Sequence, residues 1–151
     1  MNMEKKKVRL SEMLPAMEET LSAGGTVKLP ITGTSMLPLL VAGRDNVVLK
    51  KADLPLRRFD LPLYRRKDGA FVLHRVVAVE KDGTYTMCGD NQWVKEPGIS
   101  GEQMIGVVEA VERKGKLLPV QSFRYRAYVR VWHALFPVRK YLVKLRGKLT
   151  K

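Results

Sequence analysis

Ala70-Phe71-Val72-Leu73-His74-Arg75-Val76-Val77-Ala78-Val79, then Glu80-Lys81-Asp82-Gly83, then Thr84-Tyr85-Thr86-Met87-Cys88, decides the fold. Two runs rich in β-branched and aromatic residues flank a short polar segment ending in Asp-Gly. That is a β-hairpin signal, because the glycine tolerates the positive φ such turns need. Outward from it, Thr26–Ile31, Asn46–Lys50 and Gly106–Glu112 have the same character. The turn signals Ala42-Gly43-Arg44-Asp45, Lys67-Asp68-Gly69, Gly89-Asp90-Asn91 and Lys114-Gly115 separate these runs. Many short strands with frequent turns predict a mainly β protein with a curled antiparallel domain.

The ends of the chain read differently. Residues 10–22 have helical spacing in Met13, Leu14, Met17 and Leu21, with Ser11 as N-cap, Pro15 in the first turn and Gly24-Gly25 as the stop. Residues 122–146 are again helical, with Pro137 kinking or splitting them. The expected organisation is an N-terminal helix in residues 1–25, a β domain in 26–120 and a basic amphipathic helical tail in 121–151.

The 151 residues carry a formal charge of +13. Residues 122–151 hold nine Lys/Arg and no Asp or Glu, against nineteen bases and fifteen acids elsewhere. Such a segment calls for an anionic partner. Interleaved Tyr125, Tyr128, Trp132, Phe136 and Tyr141 suit an anionic membrane surface, with packing on the β domain and nucleic acid as alternatives. There is no apolar leader and no run long enough to span a bilayer, so the expected location is cytoplasmic, peripheral on a membrane at most. Two His and one Cys without close spacing give no metal site, and no cofactor is implied. Cys88 has no disulfide partner and reads as a buried strand residue.

Two side chains carry the functional reading. Ser35 lies in Thr32-Gly33-Thr34-Ser35-Met36-Leu37-Pro38, and His74 lies in the first long run. A serine hydroxyl becomes a nucleophile when a positioned base takes its proton, and histidine titrates in the right range for that task. Lys50 and Lys51 are alternative bases on paper, but a solvent-facing strand end explains them better.

Gly33-Thr34-Ser35-Met36-Leu37-Pro38, followed by Gly43-Arg44-Asp45-Asn46-Val47-Val48, resembles the nucleophile region of the signal peptidase I and LexA-like serine peptidases. His74-Arg75-Val76 resembles their base region, with histidine as in the endoplasmic-reticulum-type signal peptidases. Gly89-Asp90-Asn91-Gln92 resembles their Gly-Asp-Asn box. The boxes fall in family order across residues 26–112, and both ends of the chain lie outside the resemblance. It implies Ser35 as nucleophile, His74 as base and Asp90 as the residue orienting His74, with Glu96, Asp45 and Asp60 as other candidates for that third role. It also implies a substrate groove beside Gly33, Thr34, Met36 and Pro38, formed by a strand starting at Gly33 and the Met36–Leu40 run. The Ser35 N–H would serve as an oxyanion donor. Ala23-Gly24 matches the self-cleavage dipeptide of LexA-like proteins, but reads better as a helix C-cap. The expected activity is endopeptidase cleavage of an extended peptide or precursor protein. The alternatives are a binding module on the same fold and a nucleic-acid-associated regulator.

Overall fold

The computed structural model describes residues 3–149. Met1, Asn2, Thr150 and Lys151, at the outer ends of the two terminal segments, lie outside the described residues. The elements in chain order are α1 (Met3–Ser22), β1 (Val27–Pro30), β2 (Asn46–Lys50), β3 (Pro62–Arg65), β4 (Phe71–Leu73), β5 (Arg75–Val79), β6 (Tyr85–Cys88), β7 (Glu96–Ile99), a single 3-10 turn (Gly101–Gln103), β8 (Met104–Arg113), β9 (Lys116–Pro119), α2 (Phe123–Ala134) and α3 (Phe136–Leu149). The protein is mainly β, with curled antiparallel sheets and a few helices.

β8 is the spine. At ten residues it pairs with β2 along one side, and on the other with β3 near its start and β9 near its end. The larger sheet runs β1-β2-β8-β3-β4, with β9 beside β8. A second sheet, β5-β6-β7, is built on the Lys81-Asp82-Gly83 hairpin. There Gly83 has φ +87° and its N–H donates to the Glu80 carbonyl, as the dipeptide predicts.

Alternation along the strands explains the core. In β2, Val47 and Leu49 are buried, while Asn46 and Val48 are only partly covered and Lys50 is exposed. They join Met17 and Leu21 of α1, Leu40, Val111, and Tyr125 and Val129 of α2 in one apolar cluster. A second cluster fills the space between the sheets with Tyr64, Val76, Tyr85, Met87 and Ile99.

Several expectations are corrected here. The run from Ala70 to Val79 is two strands in different sheets, and His74 is the single residue between them. α1 begins well before Ser11, which is therefore an exposed interior residue rather than an N-cap, and Pro15 lies inside the helix. The Lys- and Glu-rich residues ahead of Ser11 are good helix formers and continue the helix. Residues 33–40 form turns rather than a strand: Leu37 N–H donates to Thr34 and Leu40 N–H to Met36. α1 ends as predicted. Gly24 N–H donates to the Leu21 carbonyl and Gly25 N–H to that of Thr20, with Gly24 at φ +88°, so Ala23-Gly24 is a helix C-cap. At the other end, the Ser122 hydroxyl caps α2 through Tyr125 N–H, and the break before α3 falls at Leu135, two residues before Pro137.

Candidate active site

A cleft of about 300 Å³ opens between β1 and β4. Leu29 and Pro30 line one side, and Phe71, Val72 and Leu73 the other. β1 pairs only with β2, and β4 only with β3, so both are edge strands of one curled sheet. The floor is apolar, with Ile31, Val47, Leu49 and Leu63. Ser35 and His74 both line this cleft.

Ser35 is held through its backbone. Its carbonyl accepts the Asn91 N–H at 2.9 Å. A Cβ on Gly89 would lie 2.6 Å from that same carbonyl oxygen, so only glycine allows the two segments to approach this closely. The Asp90 N–H points at the Met36 sulfur at 3.5 Å. The Gly89-Asp90-Asn91 turn is thus packed directly against the Ser35 segment. Among the described residues, neither the Ser35 N–H nor its hydroxyl makes a hydrogen bond within the protein.

His74 is 6% exposed, and its ring meets Tyr64 edge-on at 6.4 Å between centroids. Burial, reinforced by the Arg66 charge, lowers its pKa to about 4, against the pull of Glu96 and Asp90. The imidazole is therefore neutral at physiological pH. Among the described residues none hydrogen-bonds its ring nitrogens.

The structure does not give Asp90 the orienting contact expected of it. One carboxylate oxygen accepts Arg75 Nε at 2.9 Å, and the other accepts Arg75 Nη2 at 3.0 Å and the Tyr128 hydroxyl at 2.8 Å. Both Asp90 and Arg75 are almost fully buried. Arg75 also donates to the Phe59 carbonyl and the Tyr125 hydroxyl, while Trp132 Nε1 donates to the Asp90 carbonyl at 2.7 Å. Asp90 thus binds the turn beside Ser35 to helix α2. Arg75 claims it because two buried opposite charges with bidentate geometry satisfy each other better than a neutral imidazole would.

The other candidates are also engaged elsewhere. Glu96 accepts Tyr64 OH at 2.6 Å and Arg66 Nε at 2.8 Å. Burial raises its pKa, but these two partners outweigh that and hold it below its ordinary value. Asp45 receives the N–H groups of Val41 and Lys114 and the Arg44 guanidinium. They outweigh its burial and bring its pKa to about 2. Asp60 caps the local turn through Arg57 N–H. Lys50 and Lys51 are exposed, and Cys88 is buried, its thiol pushed up by burial.

Of the four expected groove residues, Met36 lines the cleft. Gly33 and Thr34 are exposed beside Ser35, and Pro38 lies outside the lining. Leu39 and Leu40 are core residues. Among the lining residues not predicted as part of the site are Arg66 and Gln92. The Gln92 side-chain oxygen accepts Gly89 N–H at 3.2 Å, which fixes the amide and leaves its nitrogen as the donor end. Its place after Gly-Asp-Asn was the available signal.

No protein family, curated protein or solved structure matches this chain. The chemistry therefore rests on the site itself. Among the described residues, no group of three or more His, Cys, Asp or Glu could hold a metal ion, and no helix is long and apolar enough to cross a membrane.

Proposed function

We propose that this chain is a serine endopeptidase using Ser35 and His74 as a catalytic pair, on a fold of the signal peptidase/LexA-like type. The observation that carries the reading is that both side chains line one cleft between two open strand edges. Unpaired edges offer backbone donors and acceptors to an extended peptide, which can add as a further strand. The apolar floor would take substrate side chains on one face of that strand.

Ser35 Oγ attacks the scissile carbonyl while its proton passes to His74. That proton then goes to the leaving amine, and water releases the acyl group by the reverse sequence. The Ser35 N–H and the Gln92 amide are the oxyanion donors. Desolvation keeps His74 unprotonated throughout the neutral range, and Glu96 and Asp90 favour the imidazolium as it forms. Asp90 is a positioning residue, acting through the turn that abuts Ser35.

Labelling with a fluorophosphonate serine probe tests this. Wild-type protein should be labelled at Ser35, with labelling absent in Ser35→Ala and strongly reduced in His74→Ala. Folded wild-type protein that neither labels nor cleaves any member of a peptide library would overturn the reading in favour of a binding module.

A further inference from the structure

Helix α3 has three faces. The inner one is occupied: Arg139 is buried, donates to the Gln92 and Trp132 carbonyls and stacks on Trp132 and Phe136, while Arg146 donates to the Asn91 side chain. A second stripe consists of Val138, Tyr141, Leu142 and Leu145, at three- and four-residue spacing, each between 37% and 70% exposed. A third, beside it, carries Lys140, Lys144 and Lys148 at four-residue spacing, all exposed. The inner contacts tie the helix to the Asn91-Gln92 turn, so the apolar stripe faces outward on an anchored helix.

We propose that this outer surface of α3 binds the headgroup region of an anionic bilayer, with the Val138–Leu145 stripe inserted and the lysine stripe against lipid phosphates. An apolar stripe bordered by lysines is the composition of a helix lying in a membrane interface. The charge pattern selects this occupant over the others. A second copy meeting face to face would bring together two segments with nine bases and no acids each. A nucleic acid would satisfy the lysines but leave Val138, Leu142 and Leu145 in water. The inference is independent of the peptidase reading.

Cosedimentation with vesicles is the test, using the full chain. Wild-type and Ser35→Ala proteins should both pellet with phosphatidylcholine/phosphatidylglycerol vesicles and bind pure phosphatidylcholine much more weakly. Leu142→Glu/Leu145→Glu should weaken partitioning by more than about tenfold, since partial burial of two leucines is lost. Each of Lys140→Gln and Lys144→Gln should weaken it about fivefold on the anionic vesicles. All these positions are exposed, so thermal melts should be unchanged, and Leu145→Gln provides a milder variant of the same stripe. Failure of the wild type to bind anionic vesicles overturns the proposal, as does undiminished binding by both leucine variants. A salt-dependent shift of duplex DNA, or a dimer lost in Leu142→Glu/Leu145→Glu, in the absence of vesicle binding, would assign the surface elsewhere and also overturn it.

Discussion

Replacing Asp90 with alanine removes three hydrogen bonds at once and leaves Arg75 buried with two of its three guanidinium nitrogens unpaired. The Arg75 side chain is 4% exposed and would keep only Nη1, shared between the Phe59 carbonyl and Tyr125 hydroxyl at 3.0 Å each. Breaking one side of a buried ion pair costs about 3–5 kcal/mol. The orphaned Tyr128 hydroxyl would add about 1 kcal/mol or more. The sum is about 4–6 kcal/mol, comparable to the whole stability of a small domain. Asp90→Asn keeps one acceptor and should lose roughly half of that. Removing both charges, as Arg75→Met/Asp90→Leu, should recover most of the loss. Urea unfolding followed by tryptophan fluorescence reads this, since Trp132 donates to the Asp90 carbonyl and reports undocking of α2. An Asp90→Ala protein within about 1 kcal/mol of wild type, yet unreactive toward a serine probe, would refute the reasoning. It would return Asp90 to His74 as its orienting carboxylate.

Two further outcomes follow from the site. The unfolded chain protonates His74 at its ordinary value of 6.5, whereas the native protein resists until about 4. Acidification through that window should therefore destabilise the fold by about 3 kcal/mol, an effect missing in His74→Gln. Probe labelling should likewise stay level down to pH 5 and fall with a midpoint of about 4; a midpoint at 6.5 would contradict the burial argument. Gly89→Ala places a Cβ against the Ser35 carbonyl oxygen and must displace one backbone from the other. We expect a loss of about 1–3 kcal/mol in denaturant melts, and a drop in labelling of about a hundredfold in protein that remains folded. Labelling equal to wild type would show that the turn does not position Ser35.

The sequence revealed elements wherever local chemistry and tertiary role agree. β2 was legible residue for residue, because Val47 and Leu49 alternate with polar or half-covered neighbours. The Lys81-Asp82-Gly83 hairpin was legible because its turn chemistry is local. β3 and β7 were not. Each contains proline, and β7 also glycine, which normally argue against a strand. β3 exists because β8 supplies a pairing partner from far along the chain, and β7 because β6, the strand just before it, pairs with it across the intervening turn. The candidate site shows the same division. Ser35 and His74 line one cleft although they lie thirty-nine residues apart in sequence. The fate of Asp90 depended on Arg75, next to His74 in sequence, and on Tyr128, thirty-eight residues away. Nothing local to Gly89-Asp90-Asn91 announces either partner.

The two open strand edges beside the cleft also bear on solubility. A backbone edge that can receive a substrate strand can equally receive the edge of another copy, the first step towards ordered aggregates. This chain keeps such edges short, four residues in β1 and three in β4. β1 ends in Pro30, which has no N–H to offer, and carries Lys28, ion-paired to Glu112 at 2.6 Å. Lengthening either edge, or exchanging Pro30 and Lys28 for β-branched residues, would make the cleft a better template for a peptide. The same change would make the protein a better template for itself.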